Sequence, residues 1–112
     1  MSRFRRFGGG GPQKYKNKIT YIDGICFRSK KEAEHYRVLK SQHEAGHIHI
    51  LKCHPSWVLT VNGVFIAKYF ADFSYVRNGM FVVVDVKGKV EALYLMKKRL
   101  LKALYGIEVQ EV

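Results

Sequence analysis

The hydrophobic and polar positions of this 112-residue chain alternate in short runs, and pairs of turn-forming residues separate several of the runs. Three such pairs are Asp23-Gly24, Asn62-Gly63 and Asn78-Gly79. Each pair stands between segments rich in aromatic and β-branched residues, which favours a two-residue type I′ turn. The pattern therefore predicts three β-hairpins. It also predicts a short strand over 47–51 and an edge strand over 107–112.

Two other segments have helical periodicity. Ser29 and Glu32 have capping-box spacing before an amphipathic run, and Gly46 suits the position just after a helix, so a helix is predicted over about 30–45. A second helix is predicted over 90–105. The residues expected on its buried stripe are Leu93, Met96, Leu100 and Leu104.

These elements predict an α/β (α+β) fold with the order αβββαβ from residue 29 onward. We expect a mixed, mainly antiparallel central sheet, flanked by two helices and preceded by a short N-terminal hairpin. The strand after Asn62-Gly63 runs on toward Asp72, so the middle strand is expected to be long. Residues 18–112 are predicted to form a single domain. Residues 1–17 contain no acid and are predicted to form a flexible basic arm.

The turn at residues 78–79 fixes the register of the last hairpin. It places Asp72 opposite Asp85, and Lys87 follows on the same face, opposite Phe70. Two carboxylates about 5 Å apart repel each other by roughly 3 kcal/mol at an effective dielectric constant of about 20. We therefore expect a cation between them.

Hard divalent cations prefer oxygen ligands, and Mg²⁺ is commonly held by one or two carboxylates, waters and a phosphate. Asp72 and Asp85 fit this description, and the backbone carbonyl of Val86 is a further candidate ligand. Lys87 would then reach a metal-bound water or a phosphate oxygen. The expected metal is Mg²⁺, with Mn²⁺ as a substitute, and no small-molecule cofactor is expected.

Asp72, the segment Asp85-Val86-Lys87 and an upstream helical Glu, in this order of elements, resemble the PD-(D/E)XK nuclease superfamily. A narrower series resembles small, mostly phage-encoded endonucleases related to Holliday junction resolvases. The series is Lys-Tyr-Lys-Asn-Lys, Asp-Gly-Ile, Phe-x-Ser-Lys-Lys-Glu-Ala-Glu, Tyr-x-Ala-Asp-Phe, Val-Asp-Val-Lys-Gly and Leu-Tyr-Gly-Ile-Glu. The resemblance covers about residues 18–112. It departs from the superfamily pattern at Ala71, where the pattern has proline, and at Asp85, the shorter of the two permitted acids.

The resemblance implies metal-dependent hydrolysis of DNA phosphodiesters. It makes Asp72 and Asp85 metal ligands, Lys87 the catalytic lysine and Glu32 the helical acid. Glu34 is the alternative helical acid, because only one of the two can face the hairpin. A junction resolvase is the favoured activity, acting as a homodimer that supplies two active sites. The alternatives are a nicking or restriction-like enzyme on duplex DNA and a non-catalytic DNA-binding module.

The chain has 20 Lys and Arg against 9 Asp and Glu, a net charge of +11, which indicates a polyanionic partner such as branched or duplex DNA. The candidate DNA-binding residues are Arg3, Arg5, Arg6, Lys14, Lys16, Lys18, Lys97, Lys98 and Lys102. The alternative is that the basic residues of the second helix form a solvated face.

Several classes of protein do not fit the sequence. No apolar run reaches the roughly 18 residues of a membrane span, and no signal-peptide core is present, so a cytoplasmic protein is expected, in the host cytoplasm if phage-encoded. With only two cysteines, Cys26 and Cys53, a framework of several disulfides is not expected, and a single bridge between them is the alternative. The histidines match no closed zinc pattern. His54, directly before Pro55, is instead a candidate to face the site.

Overall fold

A computed structural model describes residues 18–87 and 90–112. Its two helices and mainly antiparallel strands confirm the predicted α+β class. The predicted arm, residues 1–17, lies outside the described residues. The described residues divide into two compact units, one up to residue 34 and one over 35–112, and the division falls inside the first helix. The single domain predicted over 18–112 stays a prediction.

The strands and helices closely follow the predicted pattern. They are β1 (Thr20–Ile22), β2 (Ile25–Phe27), α1 (Lys30–Glu44), β3 (His49–Cys53), β4 (Ser56–Val61), β5 (Val64–Phe70), β6 (Phe73–Arg77), β7 (Met80–Asp85), α2 (Ala92–Tyr105) and β8 (Val109–Glu111). Three antiparallel hairpins, β1–β2, β4–β5 and β6–β7, form at the predicted turns. Both residues of each turn have positive φ, as a type I′ turn requires. The strand predicted over 47–51 begins and ends two residues later.

The first unit contains the β1–β2 hairpin and the start of α1. Phe27 at the end of β2 and Ala33 in the first turns of α1 are fully buried. Ser29 begins the helix, since its side chain accepts a hydrogen bond from the N–H of Glu32 at 3.1 Å. The predicted N-terminal hairpin and helix start are therefore confirmed.

The second unit contains a four-stranded sheet in the order β3-β6-β7-β8. Strand β8 is parallel to β7, whereas the other pairs are antiparallel, so the sheet is mixed as predicted. The prediction of a long middle strand is wrong. The chain leaves the extended ladder at Ala71 and Asp72, and β4–β5 forms a separate two-stranded sheet.

The four-stranded sheet is covered on both faces. His35 and Tyr36 of α1 lie against the ring of Phe73 on one face, with ring centroids 5.6 and 6.3 Å apart. On the other face, Leu101 of α2 packs in one cluster with Val83 and Val109. Because neighbouring strand residues point to opposite faces, Asp85 shares the α2 side with Val83.

The predicted buried stripe of α2 is largely wrong. Leu93, Met96 and Leu104 are 56%, 47% and 40% exposed, and only Leu100 of the predicted set packs against the core. The fully buried residue of the helix is Leu101. The buried side is rotated by about one residue, which brings Tyr94 toward the sheet and to the end of β7.

Candidate active site

Asp72 and Asp85 lie side by side at the point where the β6–β7 ladder ends. The last pair of the ladder is Phe73 with Val84, one step before them, in the predicted register. The N–H of Asp72 donates to Asp85 Oδ1 at 3.0 Å, and the N–H of Val86 donates to Asp72 Oδ2 at 2.7 Å. Each carboxylate is thus bound by the backbone beside the other, which offsets part of the repulsion expected between them.

Asp85 is the more deeply buried of the two acids, at 2% exposure. The hydroxyl of Tyr69, at the end of β5, donates a hydrogen bond to Asp85 Oδ2. Burial, followed by this hydrogen bond, raises the pKa of Tyr69 far above its usual value of 10.0. Tyr69 therefore remains a donor at any physiological pH and holds the Asp85 carboxylate in one orientation.

Replacing Tyr69 by phenylalanine is expected to lower the free energy of unfolding by about 1–3 kcal/mol, because a buried carboxylate loses one of its donors. Urea denaturation followed by fluorescence measures the change. Tyr105→Phe is the matched control, since it removes an exposed hydroxyl that donates to the carbonyl of Val58 at 2.7 Å. Equal losses of stability in the two variants would contradict the role given to Tyr69.

Lys87 lies beside Asp85, with Nζ 3.8 Å from Asp85 Oδ2. The same Nζ atom is 3.8 Å from the ring centroid of Tyr94 on α2, close enough for a cation–π interaction. The partner predicted for Lys87 is wrong, because Phe70 pairs with Ser56 in the other sheet. Because the extended strand is interrupted between β5 and β6, Phe70 is not part of the β6–β7 ladder. Lys87 instead contacts Tyr94 on α2.

The ring of Tyr94 is itself held in place. Its hydroxyl donates to Glu111 Oε2 at 2.6 Å, and Lys98 Nζ lies 3.0 Å from the same oxygen. The hydrogen bond from Tyr94 and then the one from Lys98 lower the pKa of Glu111. Burial and the bond to Glu111 raise the pKa of Tyr94. Pairing between the parallel strands β7 and β8 thus positions a series of side-chain contacts that runs from Glu111 through Tyr94 to Lys87.

His54 follows β3 and provides a nitrogen beside Asp72. Its N–H donates to the carbonyl of Asp72 at 2.9 Å. The ligand atoms of the His54 imidazole and the Asp72 carboxylate lie within 4.8 Å of each other. A carboxylate oxygen and an imidazole nitrogen are a donor set that fits a divalent cation, so the described residues contain a candidate metal site. From the sequence, His54 was only a candidate to face the site and was not assigned as a metal ligand.

Glu32 lies in the first turn of α1. Its own N–H donates to Ser29 Oγ at 3.1 Å, which is the Ser29 half of the predicted capping box. Its Oε1 accepts a hydrogen bond at 3.0 Å from the N–H of Arg28, one residue before the N-cap, and not from that of Ser29. The side chain is 6% exposed, whereas Glu34 is exposed. This difference favours Glu32 over Glu34 as the buried acid of the helix. Its role as the helical acid of a nuclease stays a prediction.

A protein-family model matches most of this chain. A model described as "Protein of unknown function (DUF1064)" matches residues 12–111. The chain belongs to the DUF1064 family. No curated protein and no solved structure matches it. The matched range of the DUF1064 model includes Asp72, Asp85 and Lys87, so these side chains belong to the family domain.

The candidate DNA-binding residues of the DUF1064 chain have different surroundings. Five of them lie outside the described residues: Arg3, Arg5, Arg6, Lys14 and Lys16. Lys18 is exposed and Lys97 is half-buried. Lys98 pairs with Glu111 at 3.0 Å, and Lys102 pairs with Glu108 at 3.2 Å. Both line a cleft of about 260 Å³ beside β8, together with Arg99. A phosphate-binding role for them stays a prediction.

Two further expectations concern membrane-spanning helices and disulfide bonds. Within the described residues, neither helix is long and apolar enough to cross a membrane. No disulfide involves Cys26 or Cys53.

Proposed function

We propose that this chain is a metal-dependent DNA endonuclease whose preferred substrate is a four-way Holliday junction. The observation that carries the proposal is the arrangement of Asp72, Asp85 and Lys87 at one end of the sheet. The two carboxylates are fixed by backbone hydrogen bonds, and the lysine ammonium lies 3.8 Å from Asp85. The junction preference rests on the small size of the chain and on the resemblance to the resolvase-like endonucleases.

The proposed reaction is phosphodiester hydrolysis. An oxygen from water bonds to phosphorus while one P–O ester bond breaks, which leaves a phosphomonoester and an alcohol. A bound Mg²⁺ or Mn²⁺ supplies Lewis-acid stabilisation and lowers the pKa of a bound water. Asp72 and Asp85, with the carbonyl of Val86, would hold the cation. Lys87 would donate to a phosphate oxygen whose negative charge grows in the transition state.

The charge and size of the chain support a shape-selective enzyme. A net charge of +11 attracts the DNA backbone, and backbone contacts carry no sequence information directly. Selection of DNA by its shape and deformability therefore fits better than base readout. Symmetric cleavage of a junction needs two active sites, which a C₂ homodimer provides. The homodimer is part of the proposal.

A cleavage assay tests the proposal on junction, flap, nicked and plain duplex DNA, with Mg²⁺ or Mn²⁺. The junction is expected to be cleaved at least about tenfold faster than duplex, a preference of about 1.4 kcal/mol, and EDTA is expected to stop cleavage. Equal rates on duplex would point instead to a nicking or restriction-like enzyme. Salt-sensitive binding without cleavage, unaffected by chelator, would leave only a DNA-binding module.

A further inference from the structure

Two backbone hydrogen bonds fix His54 against the segment that carries Asp72. The N–H of His54 donates to the carbonyl of Asp72 at 2.9 Å, and the N–H of Ala71 donates to the carbonyl of Pro55 at 3.0 Å. These bonds bridge the two segments at the place where β3 passes into β4 and β5 passes into β6. The fold therefore places the backbones of His54 and Asp72 side by side, and the rotamers present bring the imidazole and the carboxylate together.

The distance between the two side chains suits a shared ion. Their ligand atoms lie within 4.8 Å of each other. Two ligand atoms that are each about 2.1 Å from one ion are about 3 Å apart at a right angle and about 4 Å apart on opposite sides. Small side-chain rotations are enough to reach this range. The imidazole is exposed, so an ion held there is accessible from the solvent side.

We propose that His54 is a nitrogen ligand of the metal bound at Asp72, and that it makes the site prefer Mn²⁺ over Mg²⁺. The inference rests on the proposed function for the presence of a metal, and it adds the identity of that metal. Mg²⁺ is a hard cation that is held by oxygen and keeps several waters, whereas Mn²⁺, the first metal of the divalent transition series, also accepts an imidazole nitrogen in place of one oxygen. A site built only from Asp72, Asp85 and the Val86 carbonyl would lack this preference.

Metal titration of the full chain without DNA tests the inference, with isothermal calorimetry for Mn²⁺ and for Mg²⁺. Wild-type protein is expected to bind Mn²⁺ at least about tenfold more tightly than Mg²⁺. His54→Asn is the variant of choice, because His54 has a φ of 56° and asparagine tolerates this left-handed conformation. It is expected to weaken Mn²⁺ binding about tenfold and to change Mg²⁺ binding less than about threefold.

His49→Asn is the matched control, since it makes the same substitution at an exposed histidine of β3, the strand that His54 follows. It is expected to change neither affinity. A second measurement needs no variant at His54: Mn²⁺ is expected to broaden the ring-proton NMR signals of His54 at substoichiometric amounts and to spare those of His49.

The outcomes separate the inference from the proposed function. Mn²⁺ binding that is unaffected by His54→Asn, or an equal loss of affinity for both metals, overturns the role of His54 and leaves the nuclease proposal standing. Failure of the wild-type protein to bind either metal overturns both. A selective loss of Mn²⁺ affinity, with selective broadening of His54, supports the inference.

Discussion

Replacing Asp85 by asparagine is expected to reduce metal-dependent DNA cleavage by about a thousandfold or more. The change removes one of the two negative charges proposed to hold the metal while keeping the shape of the side chain. Metal ions contribute several kcal/mol to the stabilisation of a hydrolytic transition state, and each 1.4 kcal/mol or so is a factor of ten in rate. Single-turnover cleavage of a labelled junction in Mn²⁺ or Mg²⁺ measures the loss.

The stability of the variant has to be measured alongside its activity, because Asp85 is 2% exposed and accepts hydrogen bonds from Asp72 and Tyr69. Thermal unfolding shows whether the protein remains folded at the assay temperature. Glu108→Gln is the matched control, since it removes one negative charge at a side chain that is 71% exposed and paired with Lys102. Folded Asp85→Asn protein that cleaves within about threefold of the control would rule out Asp85 as a metal ligand, because losing a ligand costs far more than that.

The hairpins of this chain were predictable because local chemistry determines them. Asn-Gly and Asp-Gly pairs are among the few that accept positive φ at both turn positions, so the turns and the register of the attached strands follow from the sequence. The C-terminus of α1 follows in the same way. Gly46 has a φ of 81°, its N–H donates to the carbonyl of His43, and the N–H of His47 donates to Gln42. These bonds form the Schellman motif that the glycine favours.

The break between β5 and β6 was hard to predict, because its local signal is weak: Asp72 belongs to a residue type that is depleted in strands, but one such residue does not end a strand. Tyr69 to Phe73 reads as continuous strand sequence, without glycine or proline. The bridging bonds from His54 to Asp72 and from Ala71 to Pro55 involve residues far apart in sequence. Tertiary pairing of this kind overrides local strand propensity. The partner of Lys87 was predicted wrongly for this reason. Asp72 and Asp85 are nevertheless close together, because the ladder ends only one residue pair before them.

The buried face of α2 was mispredicted because two neighbouring faces of this helix are apolar. Leucine and methionine occupy the predicted stripe, and tyrosine and leucine occupy the one that packs. Periodicity alone does not choose between stripes that differ by one residue. The choice affects the site, because it turns Tyr94 toward β7 and brings its ring to 3.8 Å from Lys87 Nζ.

Replacing Lys87 by methionine is expected to lower the single-turnover cleavage rate by about 10²–10³-fold, the usual cost of removing one donor to the transition-state charge. Methionine keeps an unbranched chain that packs against Tyr94 and removes only the ammonium. DNA binding is expected to change little, and the slope of log affinity against log salt is expected to fall by at most about one. Cleavage of a labelled junction and filter binding over a salt series measure the two effects.

Lys98→Met separates catalysis from electrostatic attraction, because Lys98 is a second lysine near the ring of Tyr94, with Nζ 6.0 Å from its centroid. Its ammonium is paired with Glu111 at 3.0 Å, whereas that of Lys87 lies beside Asp85. Both variants lose one positive charge on the same side of the protein, so any general effect on DNA attraction is shared. A large loss of cleavage in Lys87→Met alone supports a catalytic lysine. Equal small losses in both would show that Lys87 contributes only charge.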